Sequence, residues 1–235
     1  MAREKDTQFA VIGLGAFGFS LAKTLAEKGA FVMAIDHNIE RIEAIKRYVA
    51  EAICFDATDP EQLSAHGVTN VDVVVIAIGE VFEPVVLIAM ELLNAGVGRI
   101  IARASNDTQE TILKKIGIRQ VIHPEKQVGE RMAIALLHSS VRDVFELTED
   151  LAIFELDAPR MMYNHTLQEL HMRSRYNVNL ITIKRPLIPE IEDDSNENFE
   201  VLGVLTADTR IVKGDKLVLV GSEKSINKML STTNR

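Results

Sequence analysis

Residues 9–36 restrict the fold of this chain more than any other stretch. An apolar run, Phe9 to Ile12, leads into Gly13-Leu14-Gly15-Ala16-Phe17-Gly18. A helical pattern follows, then a second apolar run that ends on Asp36. Strand, glycine turn, helix, strand and acid, in that order, make the layout of a dinucleotide-binding βαβ unit. Gly13 allows the tight turn. Gly15 has no Cβ, so a pyrophosphate can approach the backbone. Gly18 lets the helix pack close to the strand. The helix N-terminus presents free N–H groups and a partial positive charge to phosphates. Asp36 lies 18 residues after Gly18 and is placed to accept hydrogen bonds from ribose hydroxyls. The alternative is a glycine turn used only for packing. The pattern implies that a nucleotide binds and leaves open what the binding is for.

Composition narrows the function classes. The chain has 235 residues, 47% hydrophobic and 26% charged, with a net charge of −8. No Lys/Arg-rich block appears, which argues against nucleic acid and against electrostatic docking on an anionic membrane. The first residues are polar and lead straight into the first strand, so no signal peptide is expected. The longest apolar runs, such as Val73–Ile78, fall far below the ~18 residues of a membrane span. Direct membrane insertion is therefore not expected, and any membrane role acts through another protein. One cysteine excludes an internal disulfide and fits a reducing cytoplasm.

Further along, strands and helices alternate. Strands are expected at 31–36, 50–55, 71–78, 99–103 and 120–122, with helices between them at 39–48, 59 onward, 82–95 and up to 115. Asp59 is suited to an N-cap and Pro60 to the first helical position. Asn106 or Asp107 caps the helix that Gly117 stops. The alternation predicts an α/β, Rossmann-like doubly wound parallel sheet over 1–123, with its ligand edge at the carboxyl ends of the strands. A helix at 124–138 is apolar on two sides, through Val128, Met132, Ala135 and Leu136 and through Ile134 and Leu137. Such a helix has to be buried on both sides, and 124–150 is read as a crossover and dimer-forming segment with a hinge. The alternative is a last sheet-packing helix. From 151 to 235 short strands at 151–156, 179–184, 199–205 and 216–220, with helices near 165–172 and 222–231, predict a small α+β C-terminal domain. Residues 190–200 read as a solvated acidic loop.

Catalytic chemistry is scarce. A dehydrogenase needs an acid, base or lysine poised at the nicotinamide. His165 and His171 are six apart, which does not put both on one helix face. No HExxH, paired CxxC or GxSxG occurs. Cys54 is expected as core packing in an apolar strand, and Met161 and Met162 as packing too. The residues favour a nucleotide sensor over an enzyme. The rivals are an NAD-dependent oxidoreductase with a small second domain and a redox-sensing transcriptional regulator; the second lacks a helix-turn-helix and a basic patch. No arginine directly follows Asp36, which disfavours NADP.

Several motifs together resemble a known family. They are Gln8-Phe-Ala-Val-Ile-Gly-Leu-Gly15, Ala77-Ile-Gly-Glu80, Lys115-Ile-Gly117 with His123-Pro-Glu-Lys126, Met172-Arg-Ser-Arg-Tyr-Asn177 and Ile181-Thr-Ile-Lys-Arg185. The sequence resembles the cytosolic RCK regulatory subunits of bacterial Ktr/Trk potassium transporters, from residue 7 to about 230. The resemblance implies a non-enzymatic gating-ring subunit in the cytoplasm, peripheral to the cell membrane through its partner. That partner is a membrane-embedded potassium-translocating subunit. Homodimers would assemble into an octameric ring, and adenine nucleotide would change the ring conformation and so gate the pore.

The resemblance also assigns residues. Gly13, Leu14, Gly15, Ala16, Phe17 and Gly18 form the phosphate turn. Asp36 and Asn38 lie by the ribose and adenine, and Asp56, Ala57 and Thr58 form the adenine-side turn. Ile78, Gly79 and Glu80 close the pocket, and Arg103 lies near the phosphates, its alternative being a surface charge at a strand end. Glu125 would help hold a divalent cation, Mg2+ or Ca2+; its alternative is an acid placed in a first helical turn by the dipole alone. Arg173 and Asn179 match positions that bind cyclic di-AMP in related members; the alternative is a folding helix followed by a strand edge. One departure stands out. The Ktr pattern usually reads Gly-Leu-Gly-Arg-Phe-Gly, with the arginine on the terminal phosphate, and here that position is Ala16. An alanine cannot neutralise a γ-phosphate. The ligand the resemblance implies is ATP or ADP, with NAD or NADH as the alternative, and Ala16 is drift, the mark of an ADP or NAD binder, or an introduced change.

Overall fold

In the computed structural model, residues 7–137, 140–148, 150–187 and 198–233 are described. Most of the polar lead-in and most of the acidic loop, 190–197, lie outside them. The chain divides into two compact units, residues 1–126 and 127–235.

The first unit is built on six parallel strands: β1 (Gln8–Ile12), β2 (Phe31–Asp36), β3 (Glu51–Cys54), β4 (Val73–Ile76), β5 (Arg99–Arg103) and β6 (Gln120–Ile122). Their order is β3-β2-β1-β4-β5-β6. The strand order reverses between β1 and β4, and in sheets of this kind ligands bind outside the carboxyl ends at that point. Alternation along the central strands feeds two cores. Ala10, Ile12, Met33, Ile35, Val74 and Ile76 pack on one face with Leu63, Ile88, Leu92 and Leu113. Those four partners come from α3 (Pro60–Ala65), α4 (Phe82–Asn94) and α5 (Asp107–Ile116). Val11, Val32, Ala34, Val73 and Val75 pack on the other face with Ala22, Ile42 and Ile45, from α1 (Ala16–Glu27) and α2 (Ile39–Ile45). Strands buried on both faces read as unbroken apolar runs, and β4 is buried at every position. The apolar run 71–78 overshoots its ladder at both ends, since Val71 and Ala77 continue the core without pairing as strand.

The helix signals behave as their chemistry requires. Asp59 accepts from the Glu61 N–H and Pro60 opens α3. Asn106, of the two candidates, caps α5 through the Gln109 N–H. Cys54 departs from expectation. It is exposed, because β3 is an edge strand, and its thiol donates to the His37 carbonyl at 3.4 Å.

The second unit holds an antiparallel sheet of order β10-β9-β11-β8-β7. Its strands are β7 (Val141–Thr148), β8 (Leu151–Asp157), β9 (Asn179–Pro186), β10 (Phe199–Leu202) and β11 (Lys216–Gly221). Residues 141–148, expected in the hinge segment, are thus a strand paired with β8. The short helices α7 (Leu167–Leu170) and α8 (Met172–Tyr176) and the longer α9 (Glu223–Thr233) cover one face. Phe154, Leu156, Ile183, Leu217 and Leu219 meet Met162, Leu170, Tyr176 and Met229 there. Met162 is core as expected, whereas Met161 is exposed.

The helix α6 (Pro124–Leu137) carries Val128, Met132, Leu136 and Leu137 exposed in the single chain, Leu136 at 79%. Among the described side chains, Ile134 alone of its expected apolar residues packs on the second unit's core. The side chain of Ala135 and residue 138 lie outside the described residues. Among the described residues no helix is long and apolar enough to cross a membrane.

Candidate nucleotide-binding cleft

The turn after β1 is held at the sheet edge by backbone bonds. The Gly13 N–H donates to the Ile35 carbonyl at 2.8 Å, and the Ala77 N–H to the Ile12 carbonyl at 2.7 Å. Gly13 has φ +94°, and a Cβ there would lie 2.9 Å from the Ile78 side chain. At Gly18 a Cβ would meet the Gly13 carbonyl oxygen at 1.8 Å, so this glycine serves helix-to-turn packing. Gly15 differs from both. It is the N-cap of α1 with φ −64°, and a Cβ there would meet nothing within 4 Å. The N-cap offers no side chain to α1, and the first turn holds no acid. The N–H groups that begin α1 are left for water or an anion.

Asp36 ends β2 with 4% of its surface exposed. One carboxylate oxygen accepts the Leu14 N–H at 2.7 Å and the Arg41 guanidinium at 3.3 Å. The other accepts the Asn38 N–H at 2.8 Å. Burial raises the pKa of this carboxyl. The Leu14 and Asn38 N–H groups and Arg41 outweigh burial and hold it below the usual value. A carboxylate has about four lone-pair sites, and three are in use, so capacity remains for a hydroxyl. Asp56 accepts the Thr58 N–H at 3.0 Å and the Thr58 hydroxyl at 2.7 Å. These two bonds lower its pKa.

Opposite, at the end of β5, the Arg103 guanidinium lies on the backbone of Gly79. A Cβ at Gly79 would fall 2.4 Å from the Arg103 Cζ. The Ser105 hydroxyl donates to the Gly79 carbonyl at 3.1 Å. Arg103 is 17% exposed, donates through Nη2 to Glu125, and has a buried Nε with no hydrogen-bond partner.

These groups surround one cleft of about 730 Å3 at the carboxyl edge, within the usual range for small-molecule sites. Of the expected residues, Gly13, Gly15, Ala16, Phe17, Asp36, Asp56, Ala57, Thr58, Ile78, Gly79, Glu80, Arg103 and Glu125 line it. Leu14, Gly18 and Asn38 are not among its lining residues. The Leu14 side chain is core, and the Asn38 side chain caps α2 by accepting the Glu40 N–H at 2.8 Å. Glu125, expected at a divalent cation, is paired with Arg103 and belongs to no cluster of three metal donors among the described residues. His37, Arg41, Val81 and Leu87 also line the cleft and were not expected. The cap at Asn38 was the available signal for Arg41: it starts α2 so that the third helical residue folds back over the end of β2.

In the second unit Arg173 and Asn179 do come together. Both line an open groove of about 750 Å3 with His171, Ser174 and Thr206. His165 lies 3.6 Å from Glu169, on the capping box of α7.

The TrkA-N domain family matches residues 9–124. The chain is 34% identical over 215 residues to Ktr system potassium uptake protein C of Bacillus subtilis, covering 90% of this chain and 97% of that protein. It is 32% identical over 232 residues to Ktr system potassium uptake protein A of the same organism, covering 97% of each. Among solved structures, the GsuK channel aligns with all of this chain at a TM-score of 0.66 and 13% identity. The chain spans 41% of that channel's length, and the likeness is one of fold alone.

Proposed function

The chain belongs to the Ktr family of potassium-uptake proteins with a TrkA-N domain and is a regulatory subunit of such a transporter, and from this premise we propose that it is an adenine-nucleotide sensor. The observation that carries the reading is the cleft where the open Gly15 turn, the Asp36 carboxylate and the Arg103 guanidinium face one space. The chemistry divides along that space. Asp36 takes the ribose hydroxyls. The uncapped start of α1 takes the first phosphates. Arg103, with its unpartnered Nε and a single acid partner, takes the terminal phosphate as a charge-assisted fork.

The subunit acts without turnover. Ligand that binds one arrangement of a dimer more tightly than another shifts the population toward it. The exposed apolar residues of α6 support a second copy of the chain as the partner that covers them. Dimers built this way would assemble into a ring, octameric by the family pattern, on the cytoplasmic face of a membrane-embedded potassium-translocating subunit. Glu125 at the cleft would meet a divalent cation once Arg103 turns to phosphate. The groove at Arg173 and Asn179 would take a second ligand of the cyclic di-AMP class.

Thermal-shift titration of the purified oligomer with ATP, ADP, NAD and NADH, with and without magnesium, tests the reading. At about 100-fold excess over Kd, a true ligand stabilises by about 2.7 kcal/mol, a rise of about 5 °C or more. Stabilisation by NADH alone, in a dimer that catalyses hydride transfer, would overturn it.

A further inference from the structure

Three metal-donor side chains from two elements converge near the end of β6, on groups the nucleotide reading does not use. Asp107 and Glu110 sit three apart in the first turns of α5, on one face. His123 follows β6 directly. One donor atom from each lies within 4.8 Å of the others. His123 Nε2 and Glu110 Oε2 are 2.8 Å apart. The His123 side chain is 12% exposed, so the site has a shielded side at the histidine and an open side at Asp107.

The simplest competing account is that the two acids serve the helix. The cap is already made without them. Asn106 accepts the Gln109 N–H at 3.0 Å, and Gln109 accepts the Ser105 N–H at 2.8 Å. The helix dipole would favour acids here, but it gives no reason for a histidine to come from just past the end of β6. Lys114 pairs with Glu110 Oε1 and Lys126 with Asp107 Oδ1. Both lysines are more than half exposed, and such pairs are weak. Each leaves the second carboxylate oxygen of its partner for another group.

An imidazole nitrogen with two carboxylate oxygens suits a borderline divalent cation such as zinc better than magnesium or calcium, which prefer all-oxygen shells. The ion would take the place of the proton between His123 Nε2 and Glu110 Oε2, with solvent in the fourth position. We infer that Asp107, Glu110 and His123 form a zinc-class cation site, which ties the end of β6, immediately ahead of α6, to the start of α5. The site is distinct from Glu125 and from the nucleotide cleft, and it does not depend on what the cleft binds.

Calorimetric titration of the full chain with Zn2+ alone, in a non-chelating buffer, tests this. One zinc per chain is expected, weakened at least tenfold by His123→Gln and by the Asp107→Asn/Glu110→Gln pair. Mg2+ should not compete. If His123→Gln fails to fold, the acid pair variant decides, since it keeps the shape of both side chains. No zinc binding, equal binding in the acid pair variant, or competition by Mg2+ at similar concentration would each overturn the assignment.

Discussion

The backbone N–H of Leu14 donates to the Asp36 carboxylate at 2.7 Å, which joins the glycine turn after β1 to the end of β2. The acid that faces the cleft therefore also shapes the turn beside it. Asp36→Asn should cost stability as well as affinity, by about 1.5–3 kcal/mol for a charged acceptor that holds buried donors. Urea denaturation reads the first effect and nucleotide titration the second.

The same residue gives a pH dependence with a definite sign. Its folded pKa is depressed, so its stabilisation is present above the unfolded carboxylate value of about 4 and is lost as pH falls through the lower folded value. The stability gap between the unmodified chain and Asp36→Asn should be full at pH 7 and close below about pH 4. Denaturation midpoints across that range check it.

Gly15 and Gly18 should behave in opposite ways. Gly18→Ala drives a methyl group into the Gly13 carbonyl and should destabilise by about 3 kcal/mol. Gly15→Ala has free space and an ordinary φ, so stability should change by no more than about 0.5 kcal/mol, while phosphate approach is blocked. Loss of nucleotide binding in a fully stable Gly15→Ala chain is the expected outcome.

Ala16 is exposed at the first position of α1 and lines the cleft. Ala16→Arg should raise ATP affinity more than ADP affinity, because only ATP carries the added terminal charge. Equal changes for both would show that this position does not read the γ-phosphate.

On α6, Met132→Asp with Leu136→Asp should leave the fold intact, since both are exposed in the single chain. It should split the proposed dimer, because charge in an apolar interface is left unpaired. Light scattering after gel filtration checks the mass against that of the 26.1 kDa chain.

The sheet of the first unit was legible because its central strands are apolar on both faces and its helices carry caps and glycine stops. Thirteen cleft residues followed from the glycine turn, Asp36 and the family resemblance, and the cleft gathers them in one place. What was missed has physical causes. Cys54 has the neighbours of a core residue, but edge position cannot be read from a local window. Residues 141–148 alternate only loosely, with Arg142, Asp143 and Glu146 breaking the apolar side, and the pairing with β8 shifts register twice. Arg41 reaches Asp36 only through the geometry of a helix start. Asn38, expected beside the ribose and adenine, puts its side-chain oxygen on the Glu40 N–H as a helix cap and does not line the cleft.

The central claim is that nucleotide in the cleft controls potassium flow through a membrane partner. The direct measurement is potassium flux through proteoliposomes that hold the translocating subunit with this chain added, under ATP, ADP or no nucleotide. Flux should differ severalfold between nucleotide conditions, and the stable Gly15→Ala chain should abolish the difference. Flux that is unchanged by the chain, or that ignores every adenine nucleotide, would contradict the account.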